Sequence, residues 1–114
     1  MLAYCPIDTM AVGGTRLAGS MKISLNPNTI AYKIYGKRNI RESFNCNYEL
    51  NPEYREELES YGLVVSGLSD TGRARIIELP DKQFFVATGF LPQLSSKPDK
   101  PHPLFLSYLR AVSE

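Results

Sequence analysis

Three short apolar runs, separated by turns of two or three residues, constrain the second half of the chain more than any other feature. The runs LVVSGLS, RARIIELP and QFFVATGF occupy residues 63–69, 73–80 and 83–90, and the turns between them are DTG and DK. Short runs rich in β-branched and aromatic residues are typical of strands, and Asp and Gly favour tight turns. The pattern predicts three consecutive strands.

The first half alternates between strand and helix patterns. Loose alternation of apolar residues predicts strands over residues 14–25 and 39–50. Between them the sequence predicts a short helix, with Asn26 or Asn28 as its N-cap and Gly36 as its stop.

Two further helices are predicted. Asn51 as N-cap, Pro52 in the first turn and Gly62 as the closing residue indicate one of them. Apolar residues at helical spacing over residues 102–113 indicate the other. Strands interrupted by three helices are typical of an α/β or α+β architecture, and the pattern by itself names no reaction.

Length and charge exclude several classes of function. The chain has 114 residues, which predicts a single domain over residues 1–114. The net charge is +1, from 13 basic and 12 acidic residues, and gives no electrostatic reason to expect nucleic acid or an anionic membrane as a partner. The apolar runs are shorter than a bilayer span, and the first residues lack the pattern of a signal peptide. We therefore expect a cytoplasmic protein.

The cysteine and histidine count argues against a metal site. Cys5 and Cys46 are 41 residues apart in the chain and His102 is its one histidine, whereas a structural zinc site needs four such ligands. A disulfide between the two cysteines is disfavoured in a reducing cytosol. We predict no metal and no cofactor.

Several segments resemble one enzyme family in order along the chain. They are GGTRLAG at 13–19, KIYG at 33–36, NYELNPEYREELESYGLVVSG at 47–67, RIIELP at 75–80, FFVATGFLPQLSSKP at 84–98 and HPLF at 102–105. Together they resemble the C-terminal half of the glutamine amidotransferase domain of CTP synthase. The chain also resembles a group of short proteins related to that C-terminal region, some of them selenoproteins. The resemblance implies a flavodoxin-like, class I glutamine amidotransferase fold, present as its C-terminal half only, with a mixed sheet and about three helices.

The residues that carry catalysis in this family are replaced here. The family's His-Pro-Glu supplies a histidine that activates a cysteine and a glutamate that orients the histidine. Those positions hold Leu91, Pro92 and Gln93. The nucleophile elbow of the family should lie upstream of GGTRLAG, and neither cysteine stands in such an elbow. An arginine that binds glutamine in the family falls on Leu17, with Arg16 one position early. We predict that the chain is not an active glutamine amidotransferase.

The interpretation of the remaining polar residues stays open between two classes of function. The family's Arg-His-Arg-His-Arg strand corresponds to residues 43–47, where Cys46 is a candidate reactive thiol and Asn45 and Asn47 are candidate ligand-binding residues. The alternative for Cys46 is a buried structural residue, and for the two asparagines a solvated strand face.

Three hypotheses follow from this reading. The first is a non-catalytic binding or partner module, the second a small thiol-dependent enzyme that uses Cys46, and the third a truncated piece of a longer CTP synthase-related protein. A half-sheet with an unpaired edge also predicts a homo-oligomer or a complementary protein chain as partner.

Overall fold

The structure is a computed structural model that describes residues 3–4, 17–46 and 49–113, with side-chain environments for residues 19–44 and 50–113. Short 3-10 turns at Pro52–Tyr54 and Pro92–Leu94 accompany the main elements. In chain order these elements are β1 (Ala3–Tyr4), β2 (Leu17–Leu25), α1 (Ile30–Tyr35), β3 (Asn39–Cys46), β4 (Glu49–Leu50), α2 (Arg55–Ser60), β5 (Val64–Ser69), β6 (Ala74–Glu78), β7 (Val86–Thr88) and α3 (Pro103–Ser113).

Five of the strands form one sheet in the order β3-β2-β5-β6-β7, and β1 pairs with β4 in a separate two-stranded ribbon. Every pairing in the described part of the sheet is antiparallel. The three strands predicted over residues 63–90 are present, but the third covers only Val86–Thr88 and follows a connection of residues 79–85 instead of the predicted two-residue turn. Both connections are still too short for parallel pairing, which needs a dozen or more residues. The parallel strands of a mixed sheet do not occur among these pairings.

The predicted strand over residues 39–50 is divided in two. β3 pairs with β2 from Ser24↔Asn39 to Leu17↔Cys46, whereas β4 leaves this sheet and pairs with β1. Alternation alone could not show this change of partner, because both segments keep the same phase.

Helix α1 begins at a residue that the sequence did not identify. The N-cap is Thr29, whose hydroxyl oxygen accepts a hydrogen bond from the backbone N–H of Tyr32, so the prediction of Asn26 or Asn28 was wrong. Asn26 instead accepts a hydrogen bond from the backbone N–H of Asn28 and shapes the turn before the helix. The predicted stop is confirmed, because Gly36 lies in the left-handed region at φ 72°.

The second predicted helix is shorter than its pattern indicated. Asn51 is the N-cap, as predicted, and its side chain accepts a hydrogen bond from the backbone N–H of Glu53. The turn that follows is a 3-10 turn, and the α-helical hydrogen bonds begin only at Arg55. Gly62 closes the segment at φ 99°.

The core lies where the sheet meets α1 and α3. It contains apolar side chains from β2, β3 and β6, from the segment after β7, and from α1 and α3. These are Ile23, Leu25, Ala31, Ile40, Ile76, Phe90 and Leu104. Gly67 on β5 is required by close packing, since a Cβ atom there would lie 2.9 Å from side-chain atoms of both Ile23 and Ile76. Among the helices of the described residues, none is long and apolar enough to cross a membrane.

Candidate functional site

The loop that carries Leu91 and Gln93 is fixed against the edge strand β3. Its 3-10 turn, Pro92–Leu94, follows Leu91, whose backbone N–H donates a 2.9 Å hydrogen bond to the carbonyl oxygen of Ser43. The side chain of Leu91 is half-buried and that of Gln93 is exposed. The structure therefore brings the loop with these two predicted positions next to Ser43, the first residue of the 43–47 segment that holds the candidate residues Asn45, Cys46 and Asn47.

The side chains at this loop offer no acid-base pair. Leucine has no atom that can accept a proton, and the amide of Gln93 carries no charge with which to orient or stabilise an imidazolium ion. The chain's one imidazole belongs to His102, which lies outside this loop, directly before α3.

A buried polar cluster lies beneath the loop and joins it to the rest of the fold. The carboxylate of Glu42 on β3 is 2.5 Å from Nε2 of His102 and 2.5 Å from the hydroxyl of Tyr35. Ser95, at the end of the loop, donates a 3.3 Å hydrogen bond to the other carboxylate oxygen. The side chains of Glu42 and His102 are each 3% exposed, so their contact is shielded from solvent, whereas Tyr35 is half-buried and Ser95 is exposed.

The hydrogen bonds at the two ring nitrogens of His102 favour one tautomer of the ring. Its Nδ1 accepts a 3.1 Å hydrogen bond from the backbone N–H of Leu104, which leaves the ring proton on Nε2 to be donated to Glu42. His102 supports the start of α3 through this contact with Leu104.

Tyr35 keeps its proton in this environment. Burial raises the pKa of the Tyr35 hydroxyl well above its usual range, and the hydrogen bond to Glu42 and the charge of that carboxylate raise it further. The cluster contains a buried carboxylate with three donors and no nucleophile, and its chemistry is that of a structural support.

Sequence reasoning missed Glu42, although a signal for it was present. Glu42 has the same alternation phase as Ile40 and Phe44, which face the core, and the register of β3 against β2 keeps that phase. A carboxylate in an apolar phase of a strand indicates a buried, hydrogen-bonded group.

The other predicted site residues are only partly described. Asn45 and Cys46 end β3, paired with Ala18 and Leu17 of β2, and their side chains lie outside the described set. Asn47 and Cys5 lie outside the described residues altogether. A thiol or ligand-binding role for these residues stays a prediction. Within the described residues, no group of three His, Cys, Asp or Glu side chains could hold a metal ion.

Comparison with known proteins identifies relatives of this fold and sequence. No family model matches the chain. It is 48% identical over 102 residues to the CTP synthase of Saccharolobus solfataricus. The aligned region covers 90% of this chain and 19% of that protein. The CTP synthase of Archaeoglobus fulgidus is 47% identical over 107 residues, covering 93% of this chain and 20% of that protein. The chain thus spans about a fifth of the length of these curated relatives.

A solved structure gives the same result for the fold. The glutaminase domain of Trypanosoma brucei CTPS with bound acivicin has a TM-score of 0.91 to this chain at 27% identity, and the match covers 98% of this chain and 46% of that one. The resemblance to the C-terminal half of the CTP synthase glutamine amidotransferase domain is confirmed. The predicted α/β fold class, a partial glutamine amidotransferase fold with about three helices, is confirmed with it.

Proposed function

We propose that this relative of the C-terminal part of CTP synthase is a non-catalytic, glutamine amidotransferase-like binding module that acts in the cytoplasm on a partner of nucleotide or nitrogen metabolism. One observation carries the proposal. The loop with Leu91 and Gln93 keeps a defined place beside β3, while its side chains supply neither a base nor a carboxylate.

The contacts that hold the loop indicate that its structure is well defined although the acid-base groups are missing. The hydrogen bonds from Leu91 to Ser43 and from Ser95 to Glu42 hold both ends of the loop, and the buried cluster below it is fully paired. Because the loop with Leu91 and Gln93 is held in place but has no acid-base groups, binding of a partner is a better explanation for it than hydrolysis of glutamine. Loss of triad members typically lowers the rate by factors of several thousand or more.

The experiment is an assay of ammonia release from glutamine. We expect the wild-type chain to release no more ammonia than a Cys5→Ser, Cys46→Ser double variant, which has neither thiol. Release clearly above that variant would overturn the proposal and would favour the thiol-dependent alternative that uses Cys46.

The partner that the surface fits best is a second copy of this chain. On α3, apolar side chains at spacing i, i+3, i+4, i+7 are exposed, namely Phe105, Tyr108, Leu109 and Val112, at 39 to 59%. Arg110 is the one charged residue among the described residues of α3, and the chain's net charge is +1, so two copies would repel each other little. A two-fold pairing would bury the same stripe on both copies.

A second candidate is that the sequence is one segment of a longer CTP synthase-related protein. The observation that favours it is that the match covers only about a fifth of the relatives. An immunoblot of source cells distinguishes the two, because the binding-module proposal expects a band at the mass of a 114-residue chain.

A further inference from the structure

A cavity of about 320 Å³ lies where β2 ends. Its lining comes from the end of β2 and the turn after it, from β5, and from Arg38 and Arg55. None of the residues of loop 91–95 or of the buried cluster lines it. Small-molecule sites in proteins begin at about 300 Å³, so the cavity is large enough for a small ligand.

Two arginines from separate segments line this cavity, and none of its lining residues is acidic. Arg38 lies in the turn before β3 and is exposed, and the described part of the chain offers its guanidinium no hydrogen-bond or ion-pair partner. Arg55, the first residue of α2, pairs through Nε with Glu59 at 3.2 Å, which leaves its two terminal nitrogens for another acceptor. An exposed arginine is normally solvated, and Glu59 offsets part of the charge of Arg55. Arg38 and the terminal nitrogens of Arg55 nevertheless share one concave surface whose lining holds no acid, which leaves a local positive potential.

Neutral groups complete the polar side of the cavity. Asn26 uses its side-chain oxygen to accept a hydrogen bond from the backbone N–H of Asn28, so its NH₂ group is left to donate. Pro27, Val65 and Leu68 supply the apolar part of the lining. A few donors beside apolar walls are typical of small-molecule sites.

We propose that this cavity binds a small molecule through an oxyanion, a phosphate or carboxylate group held by Arg38 and Arg55. The planar guanidinium group matches both anions in a bidentate geometry, which a lysine could not provide. Asn26 donates a further hydrogen bond to the same anion, and the apolar wall contacts the rest of the ligand. The site is separate from loop 91–95, so it stands or falls independently of the proposed lack of glutaminase activity.

The test is a titration of the isotope-labelled chain with inorganic phosphate and, separately, with succinate, followed by NMR at constant ionic strength. We expect saturable shifts of the backbone amides of Asn26, Arg38 and Arg55. Arg38→Gln and Arg55→Gln should each weaken binding by about tenfold, because a hydrogen bond to a charged group is lost. Arg110→Gln on α3 removes the same charge away from the cavity and should leave binding unchanged.

The two probes distinguish the two sources of the anion. Tighter binding of phosphate assigns a phosphorylated ligand, and tighter binding of succinate assigns a carboxylic acid. Shifts that do not saturate, or an equal loss of binding in Arg110→Gln, would show only general attraction of anions and would overturn the proposal. Circular dichroism verifies folding, and should Arg55→Gln unfold for lack of its pair with Glu59, the exposed Arg38→Gln variant decides alone.

Discussion

At the scale of single residues, Glu42 connects three parts of the chain that are distant in sequence. Its carboxylate accepts hydrogen bonds from Tyr35 on α1, from His102 before α3 and from Ser95 in the loop. A buried carboxylate is costly unless its lone pairs are satisfied, and here they are. Through Ser95, one end of the loop is therefore joined to the carboxylate that also binds Tyr35 and His102.

Replacing Tyr35 by phenylalanine tests this cluster. The variant loses one hydrogen bond to a buried charge, and we expect the free energy of unfolding to fall by about 1.5–3 kcal/mol at neutral pH. Because the pKa of Tyr35 is raised in the folded state, its contribution is fully present below the ordinary tyrosine pKa of about 10 and is lost as the pH rises above that value. The difference between wild type and variant should therefore shrink above about pH 10.

Urea unfolding between neutral pH and the alkaline range measures both effects. Tyr61→Phe is the matched control, since Tyr61 is 82% exposed, and it should behave as wild type. If the difference in the free energy of unfolding between wild type and Tyr35→Phe stays constant over the whole pH range, the hydroxyl proton of Tyr35 does not contribute to the stability of the cluster.

At the scale of elements, α1 is stabilised by a strand distant in sequence. Glu78, at the end of β6 and 2% exposed, accepts hydrogen bonds from the backbone N–H groups of Ile30 at 2.8 Å and Ala31 at 3.1 Å. With Thr29 accepting from Tyr32, three of the N–H groups that a helix start leaves unpaired are satisfied. The negative charge also lies at the positive end of the helix.

Glu78→Gln should destabilise the fold although it preserves shape. An amide presents one oxygen and one NH₂ group to two N–H donors, so one hydrogen bond is lost and the charge at the helix start disappears. We expect a loss of about 2 kcal/mol in the free energy of unfolding, measured by urea denaturation. Glu56→Gln, in the exposed first turn of α2, makes the same chemical change and should cost no more than about 0.5 kcal/mol. Equal effects of the two variants would refute the capping role.

The elements show which features could be predicted from sequence. Gly36, the N-cap Asn51 and the existence and order of three strands over residues 63–90 were predicted correctly, because local residues determine turns and helix ends. The third of these strands is shorter than predicted, at Val86–Thr88. The N-cap of α1 was placed wrongly, because Asn26, Asn28 and Thr29 are neighbouring residues that all make good caps. The contact of Glu78 with Ile30 was missed because the two residues are 48 positions apart in the chain. The pairing of Glu42 with His102 was missed for the same reason, at a separation of 60 residues. The resemblance in motifs identified the fold, whereas the polar contacts between residues distant in sequence could be found only in the structure.

At the scale of the whole molecule, two kinds of surface are left uncovered in the described part of the chain, the outer strands of the sheet and an apolar stripe on a helix. In the described sheet β3 pairs with β2 alone, so its other edge is available over eight residues, although Leu91 covers the carbonyl oxygen of Ser43. The apolar stripe of α3 is the second surface. An unpaired edge and an exposed apolar stripe both favour association over a monomer.

We expect the chain to form a two-fold dimer through α3, with a mass by light scattering of twice that of one chain at micromolar concentration. Leu109→Lys places a charge at the centre of the stripe and should give monomers that remain folded, because Leu109 is 58% exposed and contributes little to the core. Tyr61→Lys introduces the same charge at another exposed apolar position and should leave the dimer intact. A wild-type chain that is monomeric and well folded at these concentrations would exclude a second copy as the occupant of the stripe, and equal dissociation in both variants would place the interface elsewhere.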